Sequence, residues 1–196
     1  MDEHRHDPPT AGTAPLLVVL HGHGSAPQFV APIAETLAAR TGSVPWCPSG
    51  PHRVPDDGNG EGRAWWGPDD EGPLAEHVRS VVDVLERHGG AVRIAGFSQG
   101  AAMALAVAAA YTAAVPGARP AVIVVAGFLA GDTAVPAGAD VLVVHGDADE
   151  VVDPFHGDLV ARRCRRNGCD VTEFHHGGGH VWDDAVTAAV AGWLRR

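Results

Sequence analysis

The chain contains no lysine: its 14 basic residues are all arginine, set against 24 acidic ones for a formal net charge of -10. Such a balance argues against nucleic acid and against anionic membrane surfaces as partners. Cysteine is scarce as well. Cys47, Cys164 and Cys169 are odd in number and sit in no metal-ligand spacing, so they read as reduced thiols of a cytoplasmic protein, with a Cys164 to Cys169 bridge left open. No apolar run is long enough to span a bilayer. Residues 1–13 are polar, charged and proline-bearing, without the apolar core of a secretion signal, and predict a mobile tail ahead of one domain over 14–196. No internal repeat is found. At 196 residues and 45% hydrophobic, the chain can bury a sizeable core in that single domain, as a monomer or a homodimer.

What the sequence does contain is a regular alternation. Strands are predicted near 15–20, 43–47, 91–95, 121–126, 140–145 and 170–174, and helices near 27–40, 73–88, 99–113, 154–167 and 181–194. That order predicts an α/β fold: a mostly parallel, doubly wound sheet of about six strands with helices on both faces. One stretch, 48–73, is irregular and dense in glycine and proline. A connection that long in a compact domain is usually functional, so it is expected to border a substrate pocket, with Trp65 or Trp66 as substrate-binding walls. The alternative is that both tryptophans anchor the loop to the core. Asp56, Asp57, Glu61, Asp69, Asp70 and Glu71 surround them and would disfavour anionic substrates if they face the pocket.

Gly96-Phe97-Ser98-Gln99-Gly100 lies directly between an apolar strand and an alanine-rich, helix-favouring run. In that position G-x-S-x-G describes a nucleophile elbow, a strained turn that exposes a serine hydroxyl at the positive end of a helix. The competing reading is a serine that merely caps the helix. An elbow of this kind predicts an acid and then a histidine later in the chain. The strand at 140–144 runs into His145-Gly146-Asp147-Ala148-Asp149, at the sheet edge where the elbow would also lie. Asp153, before Pro154 and a helix, reads as an N-cap, which leaves Asp147 and Asp149. After the last strand, His175-His176-Gly177-Gly178-Gly179-His180 offers a base at its end, His180, that could reach Ser98 and an aspartate together. A metal site of His175, His176 and His180 is the weaker reading, since adjacent strand residues point to opposite faces. The oxyanion donors are expected to be the backbone N–H of Gln99, after the nucleophile, and that of His23, in the glycine-rich turn His21-Gly22-His23-Gly24-Ser25 after the first strand.

These segments, with Ala64-Trp65-Trp66 before the elbow, resemble the α/β-hydrolase superfamily. The resemblance is closest to the phospholipase/carboxylesterase family, which includes acyl-protein thioesterases. It implies a trimmed version of that fold, a catalytic triad of Ser98, Asp149 and His180, and an oxyanion hole formed by His23 and Gln99. The chain differs from the family at His23, where an apolar residue is usual, and at Val152-Asp153-Pro154, where the family has Val-Pro. The expected activity is hydrolysis of a carboxylic ester or thioester of a small molecule through an acyl-enzyme, with no cofactor and no metal. Alternatives are a dienelactone-hydrolase-like or amide-cleaving enzyme, a catalytically idle scaffold that binds a small ligand or protein, and a metal-binding histidine module.

Overall fold

Apolar runs bounded by glycine and proline become strands buried on both faces, and that two-sided burial dictates helices above and below them. The computed structural model of the chain describes residues 7–55 and 62–196. In chain order the elements are β1 (Leu16–Leu20), α1 (Pro27–Thr41), β2 (Val44–Trp46), β3 (His52–Val54), β4 (Gly62–Ala64), α2 (Ala75–His88) and β5 (Val92–Phe97). They continue with α3 (Gln99–Ala114), β6 (Ala121–Val125), β7 (Asp140–Gly146), α4 (Phe155–Arg166), β8 (Asp170–His176) and α5 (Asp184–Trp193). Six strands in the order β2-β1-β5-β6-β7-β8 form one sheet, every neighbouring pair parallel. This is the doubly wound architecture that the alternating pattern predicts.

Side-chain alternation along each strand divides the core in two. Leu16, Val18, Leu20, Ile94, Val122 and Val124 pack on one face with residues of α2, α3 and α4. Leu17, Val19, Ala95, Ile123 and Val125 pack on the other with Val30, Ala34 and Leu37 of α1 and Val186 and Val190 of α5. The helices follow from their own sequences. In α2 the buried positions Val78, Val81, Val82 and Leu85 form a single stripe. Most of α3 is buried, and its alanines let it lie close against the sheet.

Three details differ from the sequence expectation, each for a local reason. Helix α5 starts at Asp184 rather than 181, because the Asp183 carboxylate caps it, accepting the Val186 N–H at 2.9 Å. Strand β8 extends to His176, since its pairing with β7 continues as far as Gly146. Within 48–73 the three-residue strands β3 and β4 pair antiparallel, too short to show a pattern in sequence. Residues 1–6 of the expected tail, and Asp56, Asp57 and Glu61 of the long connection, lie outside the described residues. Among the described residues no helix is long and apolar enough to cross a membrane.

The strand order creates the setting for a site. From β1 the chain moves outward to β2, then returns to place β5 on the other side of β1. Connections leaving the carboxyl ends of β1 and β5 therefore run in opposite directions and open a crevice between them.

Candidate active site

Between the last residue of β5 and the first of α3 there is only Ser98, so one residue must turn the chain. It does so at φ 54°, ψ -119°, a region costly for any side chain, roughly 1–3 kcal/mol. The turn is held by its main chain. The Ser98 N–H donates to the Val125 carbonyl at 3.0 Å, and the Ser98 carbonyl accepts from Ala101 N–H at 2.9 Å. The flanking glycines are required by contact: a Cβ on Gly96 would overlap the Gly100 carbonyl, and one on Gly100 would overlap the carbonyls of Leu20 and His21. The Ser98 hydroxyl makes no capping hydrogen bond to α3. It stands half-buried at the helix N-terminus, where developing negative charge is favoured.

Of the three aspartates after β7, the structure brings Asp149 to His180. Nδ1 of the ring lies 2.8 Å from Asp149 Oδ2. Asp147 is largely exposed, 3.3 Å from His175, and Asp153 accepts the Phe155 N–H at 2.9 Å at the start of α4. The Asp149 side chain is fully buried, which raises its pKa. Hydrogen bonds from Val152 N–H, His180 and Val151 N–H outweigh that burial and hold it below the usual carboxylate range. It is therefore ionised at neutral pH and can only accept, so the shared proton is on His180 Nδ1, and in the neutral ring the lone pair is on Nε2. The ring packs on Phe97, the residue before Ser98, with centroids 4.7 Å apart.

His145 is a member of this group that sequence reasoning missed. Its Nε2–H donates to the Val152 carbonyl at 2.9 Å and lies 3.4 Å from Asp149 Oδ2, locking the acid loop from inside the core. The sign available in the sequence was a polar residue closing an apolar strand just before glycine.

The loop after β1 lies beside the serine: a Cβ on Gly22 would be 3.5 Å from Ser98 Cβ. Neither the His23 N–H nor the Gln99 N–H is engaged by another protein group among the described residues, so both donors are available to a ligand. His21, unremarked at the sequence level, is completely buried. Its Nε2 accepts the Gly50 N–H at 2.9 Å, so the ring proton is on Nδ1, which donates to the Gly22 carbonyl at 2.8 Å. Burial lowers the His21 pKa to about 4, against the raising effect of the Gly22 carbonyl, and keeps the ring neutral.

Trp65 and Trp66 are both buried, as the anchoring reading expects. Trp65 is 2% exposed, stacks on the His21 ring at 5.0 Å, and donates Nε1–H to the His21 carbonyl at 2.8 Å. Trp66 is 7% exposed and meets Phe128 edge-on. The Trp65 ring is enclosed and its indole N–H is spent within the fold, which supports the anchoring reading. The histidines of the last loop do not converge. His180 is on Asp149, His175 faces Asp147, and His176 Nδ1 accepts the Gly178 N–H at 3.2 Å. Cys164 and Cys169 are buried thiols with no bridge between them, and burial pushes the Cys164 thiol up to about 12.

Comparison with known proteins bears on the family and the fold. Residues 20–182 match the model of a protein family described as serine hydrolase (FSH1). No curated protein matches the chain. Among solved structures it is similar to esterase PE8, at 24% identity and TM-score 0.73, over 96% of this chain and 95% of that one. It is also similar to a Bacillus cereus carboxylesterase (16% identity, TM-score 0.73, 93% and 88% of the two chains). A third is Zea mays acyl-protein thioesterase 2 (23% identity, TM-score 0.66, 96% and 95%). At such identities these likenesses establish the α/β-hydrolase fold.

Proposed function

Since the chain belongs to the serine hydrolase (FSH1) family, we propose that it cleaves carboxylic esters or thioesters of small molecules through an acyl-enzyme on Ser98. The observation that carries this reading is the 2.8 Å bond from His180 Nδ1 to Asp149, which orients the ring so that Nε2 can serve as base. His180 takes the Ser98 proton as Oγ attacks the carbonyl carbon, and the N–H groups of His23 and Gln99 stabilise the oxyanion. The protonated ring then gives its proton to the departing alcohol or thiol as the tetrahedral intermediate collapses. Water repeats the cycle: His180 removes its proton, it attacks the acyl carbon, and Ser98 recovers its hydrogen as the acid leaves. Asp149 remains ionised throughout and stabilises the imidazolium. Each proton and electron pair stays among substrate, water and these side chains.

The leaving group and acyl length follow from a screen of p-nitrophenyl esters of increasing chain length beside acyl-CoA thioesters. On every substrate turned over, Ser98→Ala is expected to abolish hydrolysis with an unchanged circular dichroism spectrum. Turnover by that variant near the native rate would refute the acyl-enzyme. The buried, unbridged thiols of Cys164 and Cys169 support a reducing, cytoplasmic setting.

A further inference from the structure

We propose that the Gln99 side chain and the Trp65–Trp66 segment form a brace that sets the distance between the two oxyanion donors, making Gln99 and Trp65 positioning residues for the reaction. The inference rests on the reading of Ser98, His23 and Gln99 given above. Those donors come from separate parts of the chain, the β1–α1 loop and the β5–α3 turn, and no short covalent path fixes one against the other. A single segment touches both.

On the α3 side, the Gln99 amide grips one dipeptide with both of its ends. Its Oε1 accepts the Trp65 N–H at 2.9 Å, and its Nε2 donates to the Trp66 carbonyl at 3.3 Å. The amide is buried, so its alternatives are these bonds or unsatisfied polar atoms. On the β1 side, Trp65 holds the loop once and Arg63, two residues before it, holds it twice. Trp65 Nε1–H donates to the His21 carbonyl at 2.8 Å, Gly24 N–H donates to the Arg63 carbonyl at 3.0 Å, and Arg63 N–H donates to the Ser25 carbonyl at 2.8 Å. These contacts fall on both sides of His23. His21, stacked on Trp65 and accepting from Gly50, ties in the start of the long connection as well. The segment thus spans the crevice beneath the oxyanion position, with Gln99 as the strut on one side and Trp65 bonded to both.

Stabilisation of an oxyanion depends on donors fixed where the charge develops, and loss of one donor costs roughly 10²–10³ in kcat. A brace that lets one donor drift should cost less than that and should act on the tetrahedral species alone. A network that only satisfies buried polar groups would change stability and leave the chemistry of the folded fraction untouched.

The test compares the full-length native protein with Gln99→Met, which keeps the backbone N–H and the side-chain volume but loses both amide bonds. Trp65→Phe, which loses only the indole bond to His21, is the second variant. Active-site titration with a fluorophosphonate normalises each to its competent fraction. For Gln99→Met, kcat on a p-nitrophenyl ester should fall about 10- to 100-fold with KM within about threefold, and affinity for a trifluoromethyl ketone should fall by the same factor. That inhibitor forms a tetrahedral oxyanion adduct, so it reports donor placement. Trp65→Phe should show the same pattern, about three- to tenfold. Native kcat and native ketone affinity in both normalised variants would overturn the brace, as would a loss of kcat with unchanged ketone affinity. Ser98→Ala run alongside separates the failures: if it alone is inactive, the brace is wrong and the site reading stands; if it turns over ester, the reading beneath both fails.

Discussion

At the scale of single residues, the pattern that organises the site is a histidine before glycine at the end of a buried strand. His21-Gly22 directly follows β1 and His145-Gly146 closes β7. Each histidine is buried and hydrogen-bonded to the main chain of the loop that follows, a loop that bears a residue of the proposed site. The neutral state of His21 carries a pH consequence. Its pKa is about 4 in the fold against 6.5 ordinarily, so between those values the unfolded chain binds more protons and stability rises with pH. The contribution is complete above about 6.5 and is lost as pH falls through about 4, on the order of 3 kcal/mol. Urea denaturation across that range should show the loss in the native protein and a flatter dependence in His21→Gln; equal slopes would exclude His21 as its source. A second residue-scale prediction separates the aspartates. Asp149→Asn should lower kcat by about 10²–10⁴, since an amide cannot hold the imidazolium, whereas Asp147→Asn should stay within about twofold. A larger loss in Asp147→Asn would reassign the acid.

At the scale of elements, what could be read in the sequence was what repeats. Strands with continuous apolar runs and helices with stripes or caps were legible to within a few residues, because burial imposes period and capping imposes termini. Strands β3 and β4 were not, since three residues in a glycine- and proline-rich stretch present no period. The role of the long connection stayed open between two readings for a related reason. Large aromatics in a loop signal that something apolar must cover them, but sequence cannot say whether the cover is a ligand or the core. Trp65 is covered by the core. Trp65→Ala should accordingly destabilise the protein by about 3–5 kcal/mol in urea, and after correction to the folded fraction it should affect short and long acyl esters alike. Selective loss for longer esters would instead make Trp65 a pocket wall.

At the scale of the molecule, the sheet order joins pieces that lie far apart in the chain. Ser98, Asp149 and His180 each follow the carboxyl end of a parallel strand, β5, β7 and β8, so the fold assembles at one edge what the sequence spreads over more than 80 residues. That much of the site was legible in outline, since strand ends can be counted. The family resemblance had already pointed to Asp149, which the structure places on His180; geometry added the embedded His145 and the bridge from Gln99 to the Trp65–Trp66 segment, which depend on side-chain reach across elements. The central claim is that this assembly makes Ser98 a nucleophile, and covalent labelling tests it most directly. Exposure to a fluorophosphonate followed by intact-mass measurement and peptide mapping should show one adduct per chain, on Ser98, absent from Ser98→Ala and much slower to form in His180→Ala. Adduct formation in Ser98→Ala equal to that of the native protein, or a native chain that forms none, would contradict it.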